Sequence, residues 1–216
     1  FDCVSQNNAG VTIEVYYYEG TISLPGNAPD WVFAWNSCCR NPAVDNITNP
    51  SSQGFYIEAK LNNTLGQNTS PEFVSEPVRA FCVGRTFNWK QSAVEPDGDS
   101  IYYRVAHVRD VNSSCSGQNI TYSAGWSYDQ PITTTPPNSL TMNPNTGIIT
   151  FTAAQQEIDV MAVIVDEYRY DSTTYNWLKI GESNRDMQIA IATNCTPVAQ
   201  AGVVLDYDFP GIYPDP

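Results

Sequence analysis

Glu95-Pro96-Asp97-Gly98-Asp99-Ser100-Ile101-Tyr102 and, about sixty residues later, Val163-Ile164-Val165-Asp166 carry the strongest local signals in the chain. The first is an acidic turn centred on a glycine, the residue that tolerates the positive φ of tight turns, and it runs directly into a strand. The second is an apolar strand closed by a lone acid. If the two strands lie in one sheet, the carboxylates of Glu95, Asp97, Asp99 and Asp166 meet at one end of a β-sandwich.

The same period of two recurs along the chain. Val11, Ile13, Val15 and Tyr17 alternate with polar or aromatic residues, and residues 24–30 form a turn cluster ahead of the aromatic strand Trp31-Val32-Phe33-Ala34-Trp35. Phe55, Ile57, Ala59 and Leu61 alternate with Tyr56, Glu58 and Lys60. Further strands are expected at 79–89, at 101–108, on both sides of the turn Asn143-Pro144-Asn145-Thr146-Gly147, at 158–166, and at 177–192 after a hairpin tip at Asp171-Ser172-Thr173-Thr174. The segment 109–139 is long and polar. Apart from one helical turn at Gln155-Gln156-Glu157, helical periodicity is missing. These pieces predict an all-β chain of tandem β-sandwiches. One module is expected at 1–80, incomplete at its N-terminus, and a second at 81–195. Residues 196–216 are expected to be a linker or the start of a further module, with an ordered strand around Val203-Val204-Leu205 as the alternative.

Composition narrows the function. Of 216 residues, 42% are hydrophobic, enough for a packed core. Ten basic residues against 23 acidic ones give a net charge of −13. Such a chain repels phosphate backbones and anionic membrane surfaces, and its balance favours divalent cations. No apolar run reaches the roughly 18 residues of a membrane span, so direct membrane insertion is not expected.

The six cysteines, Cys3, Cys38, Cys39, Cys82, Cys115 and Cys195, lack the spacing of zinc sites. Their even number in a strand-rich chain predicts disulfides and an oxidising compartment. Cys38 and Cys39 are expected to reach separate partners, with a vicinal disulfide between them as the alternative.

The candidate sites follow from chemistry. Glu95, Asp97 and Asp99 alternate around Gly98, and with Asp166 they could supply carboxylate oxygens to Ca²⁺. The same residues also suit a plain Asp-Gly turn with solvated acids. Of the five tryptophans, Trp126 is flanked by Ser123-Ala124-Gly125 and Ser127, a loop-like context that makes it a candidate ligand contact. The Asn-x-Ser/Thr patterns at Asn46, Asn62, Asn68, Asn112, Asn119 and Asn194 would be glycan acceptors in a eukaryotic secreted chain and are otherwise products of an Asn/Thr-rich composition. The single histidine, His107, reads as structural, and no nucleophile elbow, metalloprotease helix or phosphate loop is present. The chain is therefore not expected to be an enzyme.

Two sets of motifs resemble known families. Residues 93–103, 140–151 and 163–166 resemble the cadherin-like and Ig-like domains of bacterial surface proteins, whose pattern is an Asp-Gly-Asp turn, an Asn/Asp-Pro-x-Thr-Gly turn and a closing Val-x-Val-x-Asp strand. Glu95 stands where an aspartate is common. Cys38-Cys39-Arg40-Asn41, Asn46-Ile47, Asn68-Thr69-Ser70-Pro71-Glu72-Phe73, Phe81-Cys82-Val83-Gly84 and Arg185-Asp186-Met187-Gln188 resemble, in this order, large gliding-motility-type adhesins of Bacteroidota exported by the type IX system.

This second resemblance implies an extracellular module on the bacterial cell surface. Its partners would be cell-surface molecules, glycans or copies of itself reached through neighbouring modules. Asp171-Ser172-Thr173 is similar to the short O-glycosylation signal of that phylum, with Ser172 as acceptor. The expectation is a non-catalytic adhesin module, with Ca²⁺ as the candidate cofactor. The alternatives are a filament subunit joined by strand addition, with Ala201 to Asp208 as donor, or a carbohydrate-binding accessory module.

Overall fold

The computed structural model describes residues 16–75, 77–114 and 116–193, together with the backbone of two short strands at 5–6 and 12–13. The chain divides into two units, residues 1–19 with 194–216 and residues 20–193. In the first, β1 (Ser5–Gln6) pairs antiparallel with β2 (Thr12–Ile13). Of the strand expected at 11–17, residues 12 and 13 are strand, 16 and 17 are not, and 11, 14 and 15 lie outside the described residues, as do the segment 196–216 and Cys3, Cys115 and Cys195.

The second unit is all-β. In chain order its strands are β3 (Trp31–Ser37), β4 (Phe55–Leu61), β5 (Glu72–Phe73), β6 (Val78–Cys82), β7 (Thr86–Lys90), β8 (Ala93–Val94), β9 (Ser100–Ala106), β10 (Arg109–Val111), β11 (Gly117–Asn119), β12 (Thr141–Met142), β13 (Ile148–Thr152), β14 (Glu157–Asp171) and β15 (Asn176–Ala192). A six-stranded sheet runs β3-β4-β15-β14-β9, and β6 lies parallel to the end of β15. A three-stranded sheet, β12-β13-β7, packs on its inner face.

The boundary expected near residue 80 is not there. β3 and β4 come from the first half of the chain, yet β4 bonds to β15 through Gly181↔Leu61 and Ser183↔Ala59. β6 crosses the expected boundary and pairs with β15 from Gln188↔Val78 to Ala192↔Cys82. Residues 20–193 thus form one unit and not two modules. An alternating strand reads the same whether its neighbours come from near or far in the chain, which is why local pattern placed the division wrongly.

β14 organises both faces of the sheet because its side chains alternate. Met161, Val163 and Val165 enter the inner core with Trp89, Ile149, Phe151 and Ile189. Phe81 makes edge-on contacts there with Phe151 at 5.0 Å and Trp89 at 5.2 Å. Val160, Ala162 and Ile164 enter a smaller outer core beneath the segments that carry Val44, Ile47 and Ile120.

Buried polar groups tie those segments down. Asn46 is fully buried and substitutes for a strand neighbour: its Nδ2 donates to the carbonyls of Val160 (2.8 Å) and Pro131 (2.9 Å), and its Oδ1 accepts from Val160 N at 3.1 Å. Arg40 makes a two-pronged pair with Asp186, at 2.9 and 2.6 Å, and its guanidinium lies 4.3 Å from the Phe55 ring centre. Both side chains are almost wholly buried. Removing one member of such a pair leaves an uncompensated buried charge. Arg40→Met should therefore cost about 3–5 kcal/mol in denaturant unfolding, and Arg40→Met with Asp186→Leu should recover most of it.

Asp159 ends the inner apolar stripe. It is 0% exposed, and neither oxygen is reached by a hydrogen-bond donor among the described residues. Burial, with the neighbouring Glu157 and Asp45 carboxylates adding to it, pushes its pKa up to about 10. The folded state thus holds a proton that the unfolded chain releases near 3.8. The contribution is favourable in acid and is lost as pH rises from there toward about 10. Asp159→Asn should raise Tm at pH 8 and change it little at pH 4; an equal loss at both pH values would mean that the carboxylate is ionised and paired.

Candidate functional site

The acidic turn after β8 is tightly folded. Gly98 sits at φ +86°, and the Glu95 carboxylate accepts from Asp97 N at 2.9 Å and Asp99 N at 2.6 Å. One carboxylate oxygen from each of Glu95, Asp97 and Asp99 lies within 4.8 Å of the others. The loop ahead of β5 folds over this turn. Asp97 Oδ2 accepts from Thr69 N at 2.5 Å. Arg169 of β14 binds both oxygens of Asp99, at 3.0 and 2.5 Å, and also donates to the carbonyls of Leu65 and Gln67 and to Asn68 Oδ1. The turn is not a simple hairpin, because β8 pairs with β5 while β9 pairs with β14.

Asp166 does not join this corner. It lies on the outer face of β14, bonded to Arg104 Nε at 2.8 Å and to Lys179. It belongs to a ladder of charges across the sheet. Arg104 and Lys179 also hold Glu182, Lys60 bridges Glu182 to Glu58, and Arg109 pairs with Glu58. The carboxylate that does reach the corner is Glu167, one residue further and therefore on the opposite face. It is 0% exposed, and its Oε2 accepts from Asn68 Nδ2 at 2.9 Å. Burial, with Glu95 and Asp99 adding to it against the Asn68 bond, pushes Glu167 up to about 7. Both Asp166 and Glu167 are acids at the end of an apolar strand, and only the parity of the strand separates them.

The remaining expected residues fall as follows. Cys38 and Cys39 are joined to each other, the less expected of the two pairings, directly after β3 with Cα atoms 3.1 Å apart. Cys82 is in a disulfide whose other half lies outside the described residues. Trp126 is half-buried, and its Nε1 is sealed from solvent. The most exposed tryptophans are Trp35 and Trp177, at 40% and 57%. Trp177 packs against Tyr170 with ring centres 5.3 Å apart, beside the hairpin tip. Ser172 is exposed at that tip, where Asp171 accepts from Thr173 N and Thr174 Oγ1. His107 stacks on Tyr128 at 4.2 Å, and burial lowers its pKa.

No protein-family model and no curated protein matches the chain.

The outer ladder has its own acid dependence. Burial works to raise Glu182, but Lys179 and Lys60 override it and hold the carboxyl down to about 2. Its folded pKa is below the ordinary 4.5, so its contribution is complete above that value and is lost as pH falls toward about 2. Melts in acid should lose stability over this range, and Glu182→Gln should remove that component. High salt should blunt it, because the lysines are two-fifths exposed.

Proposed function

We propose that the chain is a non-catalytic module of an extracellular bacterial surface adhesin, a rigid sandwich of Ig-like or cadherin-like type that serves adhesion or fibre assembly. The observation that carries this reading is β3. It is the outer strand of the six-stranded sheet among the described residues, and Trp31-Val32-Phe33-Ala34-Trp35-Asn36-Ser37 contains no charge. Val32, Phe33 and Trp35 are 50%, 36% and 40% exposed, so both of its faces show apolar side chains to solvent. Soluble proteins ordinarily protect an outer strand with lysine, proline, a bulge or a covering loop. An apolar one in a chain of net charge −13 is better suited to meeting a partner. The disulfides at Cys38–Cys39 and Cys82 support an oxidising compartment.

The same strand favours one second reading, a filament subunit joined by strand addition. The expected donor, Ala201 to Asp208, lies outside the described residues.

Sedimentation of the full chain, and its retention on bacterial cells and polysaccharide-coated surfaces, test these readings. The wild-type chain should be retained or should self-associate, and Val32→Lys with Trp35→Lys should lose that behaviour at an unchanged far-UV spectrum. Self-association without retention selects the filament. Loss of polysaccharide retention with Trp177→Ala alone selects a carbohydrate-binding module. A chain that stays monomeric and unretained removes all three.

A further inference from the structure

Along its side away from β14, β15 changes neighbours. It pairs with β4 only from Gly181 to Ser183, and with β6 only from Gln188 to Ala192. Between these contacts, at residues 184–187, that side of β15 has no strand beside it among the described residues. The split opens a cleft of about 340 Å³, walled by Trp35, Phe55, Ile57 and Phe73 together with Ser75 and Arg185. Small-molecule pockets run from roughly 300 to 1,000 Å³, so this one suits a single ring.

Arg185 gives the cleft its chemistry. It is 6% exposed, and its guanidinium donates only to uncharged oxygens: the Ser75 hydroxyl at 2.8 Å, the Ser75 carbonyl, and the Gln91 carbonyl at 3.5 Å. Its Nε donates to nothing among the described residues. Burial, with Arg79 adding to it, lowers its pKa to about 10, so the group is still charged at neutral pH. Arg40, the other buried arginine, takes both oxygens of Asp186, which is the one acid among the described wall residues. A buried guanidinium whose acceptors are all uncharged has no counter-charge, and an anion in the cleft would supply it.

We propose that this cleft is a binding subsite for a carboxylate-bearing sugar ring, a hexuronate at the end of a glycan, with Arg185 as the carboxylate anchor. The planar guanidinium matches a carboxylate. Trp35, Phe55 and Phe73 supply flat apolar walls for the C–H face of the ring. Ser75 is a positioning residue: its hydroxyl accepts from Arg185 and donates to the Gln91 carbonyl at 3.0 Å, which holds the guanidinium 5.0 Å from the Phe73 ring centre. The net charge of −13 repels polyanions, so one carboxylate on a compact ring is favoured over an acidic polymer. The inference names the glycan class for the carbohydrate branch of the proposed function. It does not rest on β3 as a docking edge, because its test uses free sugars.

The experiment titrates the full chain at neutral pH with sodium glucuronate, sodium galacturonate, glucose, sodium acetate and N-acetyl-dialanine, read by calorimetry and by saturation-transfer NMR. One of the two uronates should bind at a single site, about tenfold or more tighter than glucose or acetate, because only a uronate engages both the guanidinium and the rings. Added NaCl should weaken it. Arg185→Lys should lose about tenfold or more, since an ammonium cannot reproduce the fork. If Arg185→Lys fails to fold, Ile57→Trp gives the test: it fills the cleft, leaves Arg185 in place, and should abolish uronate binding at an unchanged far-UV spectrum. Val32→Lys, on the opposite face of β3 from Trp35, should keep uronate binding even if it removes retention or self-association, which separates failure of the edge-strand reading from failure of this site. The proposal is overturned if neither uronate binds at millimolar concentration, or if glucose or acetate binds as tightly. It is also overturned if N-acetyl-dialanine binds more tightly than both uronates, or if Ile57→Trp binds like wild type.

Discussion

Fifteen residue pairs hold β14 against β15, from Glu157↔Ile191 to Asp171↔Asn176, and the other elements take their places from that hairpin. β9 joins its free side, β4 and β6 share the far side of β15, and the two cores form on the alternate faces of β14. The constraint is the two-residue period of a strand that is buried on both sides. A shift of one residue would put Met161, Val163 and Val165 under the outer loops and drive Asp166 into the inner core. Because apolar contact fills the middle of both faces, β14 can carry acids only near its ends. Glu157 and Asp159 stand at one end of the inner stripe, and Glu167 stands at the other.

The acids have different fates because their surroundings differ. Asp166 and Glu182 face a surface supplied with Arg104, Lys179 and Lys60, and there ionisation is favoured. Asp159 faces the apolar interior beside another carboxylate, and there the proton is held. Glu167 lies between these cases, buried but served by Asn68. The bulge after Glu167, where the register passes from Gly181 to Lys179, keeps Glu167 opposite a glycine and sends Arg169 on to Asp99.

Several motifs that read as family signatures turn out to be structural ties. Arg40 pairs with Asp186, Asn46 completes the hydrogen bonding of Val160, Asn68 bridges Glu167 and Arg169, and Arg185 donates to Ser75 while stacking over Phe73 at 5.0 Å. Each joins segments that are about a hundred residues apart or more. Asn46, which heads a glycosylation-like triplet, is fully buried, so its amide serves the fold.

Strand positions were legible because alternation and turn chemistry are local. The apolar run at 158–166 became the middle of β14, the tip at Asp171-Ser172-Thr173-Thr174 closed its hairpin, and Asn143 caps its turn through Asn145 N and Thr146 N ahead of Gly147 at φ +66°. The acidic turn was legible for the same reason, as Gly98 and its flanking carboxylates are neighbours in the chain. The single sheet was not legible, since the pairing of β4 with β15 spans more than a hundred residues and leaves no local mark.

By itself, then, the amino-acid order determined an all-β chain, its turns, and three of the carboxylates at the corner, because each of these follows from steric and hydrogen-bonding preferences over a few residues. Only the tertiary structure decided that one unit replaces two and that Glu167, rather than Asp166, faces the turn. Which face of a strand looks at which neighbour depends on register and packing between distant segments, and no short stretch of sequence contains that information.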